Sequence, residues 1–204
     1  KKNNYLFVDG RYTIQAKQQS GGQFKIIEIH KLFPKNIIKN LKLGFDPDLF
    51  TKKNLNLYFG NSLKLISIKN NLIDEIHQIK NSKRKIFYSL TNKSVGESHQ
   101  SKINKISNIL KLKKADYLFV SSPENVAWLM NIRGHDCPTS PIPNCRLLIS
   151  KNKKIFLILE KKISTKIVKE KKFKKEQIIN PKKFEDFIKQ LKGNNFIIDA
   201  LSCS

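Results

Sequence analysis

Residues 117–150 read YLFVSSPENVAWLMNIRGHDCPTSPIPNCRLLIS. Tyr117–Val120 is a short unbroken apolar run, the pattern of a strand covered on both faces. Ser122-Pro123 opens a helix, with a cap hydroxyl followed by proline at the first helical position. The helix runs to about Met130, and its Val126, Ala127, Trp128, Leu129 and Met130 place Trp128 in the core. Residues 131–144 form a loop stiffened by Pro138, Pro141 and Pro143. Cys145–Ser150 and Lys154–Glu160 then read as two strands of a hairpin turning at Lys151–Lys153. A strand, a helix, and then a hairpin predict an α/β fold with a mixed sheet rather than a purely parallel one.

The same alternation extends outward. Downstream, 161–172 and 182–191 are helical in pattern, the second through Phe184, Phe187, Ile188 and Leu191, and Phe196–Asp199 is a last strand. Upstream, Ile103, Ile106, Ile109 and Leu110 mark one helix face. Residues 80–98 (KNSKRKIFYSLTNKSVGES) are polar and basic around a small Ile86-Phe87-Tyr88 island and read as a joint. Before them come strands at Tyr5–Val8, Phe24–His30 and Leu63–Ile68, and a short apolar segment at Leu41–Phe45. Helices are expected over Arg11–Gln19, over 35–41 after Pro34, between a Thr51 cap and Gly60, and through Leu72, Ile73, Ile76 and Ile79. The expected division is a domain over 1–80, a linker over 81–98 and a domain over 99–204.

With 204 residues the chain is long enough for one large domain or two small ones. No apolar run approaches the ~20 residues that span a bilayer, so no membrane partner is expected. Cysteine is sparse and odd in number (Cys137, Cys145, Cys203), which fits a reducing, cytoplasmic compartment. The net charge is +24, yet only four of the 40 basic residues are Arg, and Asn (20) and Ile (27) are also abundant. That bias is what an AT-rich coding sequence produces. Nor is the charge gathered: residues 1–94 carry 18 bases and 6 acids, and residues 95–204 carry 22 and 10. Specific nucleic-acid binding is therefore not expected, even for the Lys-rich 151–175 segment. The chain lacks an initial Met, and both ends lie against strands, as if cut from a larger protein.

No Gly-rich phosphate loop, Gly-x-Ser-x-Gly, His-Glu-x-x-His or Cys-x-x-Cys is present. The four histidines are scattered, so no catalytic residue and no metal ligand is assigned. Two polar clusters remain. In Arg133-Gly134-His135-Asp136-Cys137 one reading gathers a metal with Cys145; the other is a stiff loop whose Arg and Asp pair together or dock on a neighbouring domain. In Asp9-Gly10-Arg11-Tyr12, Asp9 is placed to cap a helix, and Arg11 either serves structure alone or projects a cation toward a carboxylate or carbonyl.

Several segments together resemble one family. LFVDGRYTIQA (6–16), LGFDP with LFT (43–47, 49–51), NLIDEI (71–76), VGES (95–98) and PENVAWLMNIRGHD with Pro138 (123–136) follow the order found in the creatinase/prolidase N-terminal domains of Xaa-Pro aminopeptidases. The resemblance covers most of 5–160, thins through 161–192, and returns weakly at FIIDALSCS. It implies two successive creatinase-N-like α/β domains, each a mixed sheet flanked by helices, the first truncated on its N-terminal side. It further implies a catalytic pita-bread domain beyond this chain, holding two divalent metals, usually manganese, and cleaving before proline. The partners it implies are that catalytic domain, a proline-containing peptide and, since family members often dimerise, a second copy. Two carry-overs follow. Arg11 and Tyr12 match the family's Asp-Gly-Arg-Tyr, whose Arg lies toward the substrate's leading end. Asn131, Arg133, Gly134 and Asp136 match its Asn-x-Arg-Gly-x-Asp loop facing the catalytic domain. His135 stands where Ser is more usual, and Cys137 where a small β-branched residue is. The role implied for this chain is to shape and restrict the substrate cleft. The alternative is a non-catalytic binding module of the same fold for an acidic partner.

Overall fold

The computed structural model describes residues 4–61, 63–68, 70–77, 87–160, 163–193 and 195–203. The chain divides into two compact units, Lys1–Gln78 and Ile79–Cys203.

In the first unit β1 (Tyr5–Val8) and β2 (Lys25–Glu28) pair in parallel, joined through α1 (Thr13–Gln19). After α2 (Pro34–Ile37), β3 (Lys42–Phe45) and β4 (Lys64–Ser67) form a second parallel pair across α3 (Lys52–Tyr58), and α4 (Leu72–Ile76) follows. Short polar side chains set two helix starts, Thr51 where the sequence predicts a cap and Asn71 where no cap is expected. Thr51 Oγ1 accepts from the Asn54 amide at 3.1 Å, and Asn71 Oδ1 accepts from the Ile73 amide at 2.9 Å. Gly60, at φ +55°, takes the left-handed turn that ends α3. Two expectations are corrected here. The described strands of this unit form two separate parallel pairs rather than one mixed sheet. The apolar face expected of α4 is also not buried: Leu72, Ile73 and Ile76 are 61%, 66% and 83% exposed. Ile79 lies outside the described residues.

The second unit carries the mixed sheet. Its strands are β6 (Tyr117–Val120), β8 (Arg146–Ser150), β9 (Ile155–Ile158), β10 (Ile178–Ile179) and β11 (Phe196–Ile198). They lie in the order β10-β9-β8-β6-β11, with the β8–β9 hairpin and the β6–β8 pair antiparallel and both outer pairs parallel. Alternation of side chains splits the core into two layers. Val120, Leu147, Ile149 and Leu157 face Ile103 of α5 (His99–Leu112), Val126 and Met130 of α6 (Pro123–Met130), and Ile167 of α7 (Thr165–Glu170). Tyr117, Leu148 and Ile158 face Phe184 and Phe187 of α8 (Phe184–Lys189).

Three local readings differ from the sequence pattern. Ile109 is half-exposed, because the buried face of α5 runs through Ile103, Ser107 and Leu110 instead. Trp128 is 58% exposed, since Val126, Leu129 and Met130 already fill the inward stripe of α6. Part of the stretch read as a linker is structured. Phe87 is buried in the core, and β5 (Tyr88–Ser89) pairs antiparallel with β7 (Ile132–Arg133). Residues 81–86, including Ile86 of the apolar island, lie outside the described residues.

Candidate functional site

The second unit gathers Asn131, Arg133, His135 and Asp136 into one turn, strand and loop at the end of α6. Asn131 ends that helix at φ 51°, ψ 45°, a left-handed conformation that Asn tolerates better than most residues. Its side chain does not face outward. Asn131 Nδ2 donates to the Glu97 carbonyl at 2.9 Å, and Oδ1 accepts from Lys102 Nζ at 2.8 Å. Arg133 Nη1 donates back to the Ala127 and Ile132 carbonyls at 3.2 and 2.9 Å. Lys102 Nζ takes the Trp128 carbonyl at 2.7 Å. Two cations thus sit on the carbonyl end of α6, where the helix dipole favours them. Burial pulls the Lys102 ammonium below its ordinary range, and the Glu97 carboxylate opposes that pull.

The loop beyond is shaped by packing. Gly134 is buried, and a Cβ there would stand 2.7 Å from Pro143 Cα, so Gly is required for the close approach. The Gly134 amide donates to the Pro141 carbonyl at 3.1 Å, and Asp136 Oδ2 accepts from the Asn144 amide at 2.7 Å. Asp136 therefore clips the two ends of the proline-rich loop together. His135 is exposed, its ring 5.5 Å from that of Tyr88. The metal reading of this cluster does not fit. Cys145 is buried in the core and burial pushes its thiol up to about 12, whereas Cys137 is exposed and bonded to Thr139. Among the described residues no three His, Cys, Asp or Glu side chains gather to hold a metal.

The other two candidates belong to the first unit. Arg11 and Tyr12 lie in the 3-10 turn between β1 and α1. Asp9 caps that turn: Oδ1 accepts from the Arg11 amide at 3.0 Å and from Arg11 Nε at 2.9 Å, and Oδ2 from Nη2 at 3.3 Å. This fork holds the Asp9 carboxyl down to about 2, through the Arg11 side chain first and its backbone amide second. The guanidinium is committed to its neighbour while remaining largely exposed. Tyr12 is 52% exposed, and the guanidinium lies 5.9 Å from its ring.

Two side chains of this neighbourhood had no functional sequence signal. Lys102 is one Lys among 36, and its burial follows only from tertiary packing. Trp128 lines a crevice of about 250 Å³ with Ser121, Asn125, Asp199 and Ser202 at the carboxyl end of β6. There Ser202 Oγ donates to Asp199 Oδ2 at 2.8 Å and lies 2.8 Å from Ser121 Oγ.

Residues 78–204 match the family described as the creatinase/prolidase N-terminal domain. The chain belongs to that family. Among related proteins, a probable Xaa-Pro aminopeptidase P of Laccaria bicolor is 30% identical over 156 residues, 68% of this chain and 24% of its own length. Xaa-Pro aminopeptidase 1 of Dictyostelium discoideum is 27% identical over 190 residues, 80% of this chain and 30% of its own length. The crystal structure of X-prolyl aminopeptidase from Caenorhabditis elegans superposes with a TM-score of 0.74 at 24% identity, covering 90% of this chain and 32% of that one. That likeness establishes the fold. The C. elegans protein is described as a cytosolic enzyme with a di-nuclear active site. This creatinase-N chain spans about a quarter to a third of the length of these relatives.

Proposed function

We propose that this chain is the non-catalytic front part of a metal-dependent Xaa-Pro aminopeptidase, and that its domains shape and restrict the cleft of that enzyme. The observation that carries the reading is the family match over 78–204, together with relatives named as Xaa-Pro aminopeptidases that the chain matches over only 24–30% of their length. The two divalent metals, with manganese the expected ion, belong in this reading to the catalytic domain, as the di-nuclear active site named for the C. elegans enzyme suggests; among the described residues no donor cluster fits such a centre. No bond-breaking step runs through these residues.

Their work is exclusion and placement. A loop fixed by Gly134 against Pro143 and clipped by Asp136 is a stiff wall, and a stiff wall selects by shape at little entropic cost. Arg133, His135 and Asp136 form the edge turned toward the catalytic domain, and Arg11 with Tyr12 the edge toward the peptide's leading end. The partners in this reading are the enzyme's own catalytic domain, a proline-containing peptide and a second copy, in the cytoplasm.

The test is the coding sequence downstream of Ser204. Two Asp, one His and two Glu within one further domain are expected. If the frame continues with those five positions replaced, catalysis is excluded. The +24 charge then favours the alternative, a binding module for an acidic partner. The purified 204-residue chain, given manganese, is expected to leave an Xaa-Pro peptide uncleaved.

A further inference from the structure

Lys102 lies on α5, well before residues 131–144 in the chain, yet its ammonium anchors the first turn of that loop. The side chain is 5% exposed. Nζ bonds the Trp128 carbonyl at 2.7 Å and Asn131 Oδ1 at 2.8 Å, and it lies 4.0 Å from the centroid of the Trp128 ring. Asn131 in turn bonds the Glu97 carbonyl at 2.9 Å. One ammonium therefore fixes three things: the end of α6, the side chain that occupies the left-handed turn, and the orientation of an exposed aromatic ring. Burying a charge in this way is costly, and an apolar side chain of the same length would fill the space more cheaply. What the charge supplies is a unique arrangement, because an ammonium accepts only a few acceptor geometries whereas a methyl group accepts many.

We propose that Lys102 is the positioning residue of the 128–136 surface, holding Asn131 in its left-handed turn and Trp128 face-out so that Arg133, His135 and Asp136 are presented in one fixed arrangement. The inference deepens the cleft-shaping reading and rests on it for its functional meaning; the clamp itself is measurable without it.

The measurement uses the 204-residue chain. Trp128 is its only tryptophan, so emission reports the ring directly. Cys137 is an exposed thiol inside the loop, and its alkylation rate, resolved by peptide mass spectrometry, reports loop opening. Lys102→Met is expected to change Trp128 emission, to raise its quenching by acrylamide, and to speed Cys137 alkylation several-fold, with the far-UV circular dichroism spectrum unchanged. Lys102→Arg, which keeps a buried cation, is expected to restore most of the slow alkylation. Should Lys102→Met not fold, Asn131→Gly serves in its place. Glycine keeps the left-handed turn accessible but cuts both amide ties, so alkylation should again rise several-fold. A folded Lys102→Met or Asn131→Gly chain with unchanged emission and alkylation overturns the clamp. If the clamp is borne out but Lys102→Met leaves kcat/KM for an Xaa-Pro peptide unchanged in the complete enzyme, the cleft-shaping reading fails and the clamp stands.

Discussion

The two units are both rich in Lys but differ sharply in how they hold together. In the second, Leu147, Leu148 and Ile149 are all fully buried on the central strand β8, with helices against one face and aromatic rings against the other. In the first, only Ile27, Pro34, Thr51 and Leu63 are buried among the described residues. Its strands come in parallel pairs, and an apolar cavity of about 630 Å³ lies among Phe7, Phe45, Phe50, Tyr58 and Phe59. Parallel strands need cover on both faces, and two-stranded sheets are marginal by themselves. The more highly charged unit is the one with the fuller core, so the number of strands that share one core outweighs the Lys load.

The largest expected effect comes from separating the units. Residues 79–204 alone should melt in one cooperative transition, and residues 1–78 alone should not. Circular dichroism melts of the two pieces check this, and a sharp transition in 1–78 would erase the contrast.

Next come single truncations placed for comparison. Leu148→Ala in the covered strand should cost about 2–5 kcal/mol. Ile66→Ala in β4, where the side chain is 43% exposed, should cost within about 0.5 kcal/mol. Urea titrations of both variants measure the difference, and equal costs would mean the first unit is packed more tightly than its surface indicates.

Gly134→Ala asks the same question of the loop. Its Cβ would press on the Pro143 backbone, so the loop must shift, at about 1–3 kcal/mol. Faster Cys137 alkylation would accompany that loss, and an unchanged melting temperature would show that the wall yields freely.

The smallest effect is electrostatic. The folded Asp9 carboxyl sits near 2 against an ordinary value of 3.8. A depressed folded value means the contribution is present above the unfolded pKa and is lost as pH falls through the folded one. Exposure keeps its energy small. A carboxyl NMR titration should give a midpoint near 2, and one near 3.8 would mean that the Arg11 fork does not form in solution.

How legible these regions are in the sequence follows from the same contrast. β6, α6 and the β8–β9 hairpin can be read because each is an apolar run bounded by a proline or a polar turn, although Ser122, expected to cap α6, makes no capping hydrogen bond with its hydroxyl. Asp9 and Thr51 can be read as caps because their chemistry is local. Trp128 is misplaced when the apolar content of α6 is read without its phase: Val126, Leu129 and Met130 define the inward stripe, and position 128 falls off it. The α4 helix forms where the spacing puts it, but spacing cannot say whether anything covers it. The two-residue strands β5, β7 and β10 are too short to carry a periodic signal. The cluster around Asn131 is visible only as polar residue types; its assembly through Lys102, 29 positions earlier, is a tertiary event.

Strand order also sets a timetable for synthesis. The β8–β9 hairpin closes over a four-residue connection and can form as soon as it leaves the ribosome. Strand β6 is different: one of its edges pairs with β8, but the other waits for β11, whose Phe196 sits opposite Tyr117 with their rings stacked at 5.0 Å. Until residues 196–198 emerge, Tyr117–Val120 keeps one open hydrogen-bonding edge. A nascent chain paused before that point carries an apolar strand with one edge unpaired, and this is the stage at which chaperone protection matters most.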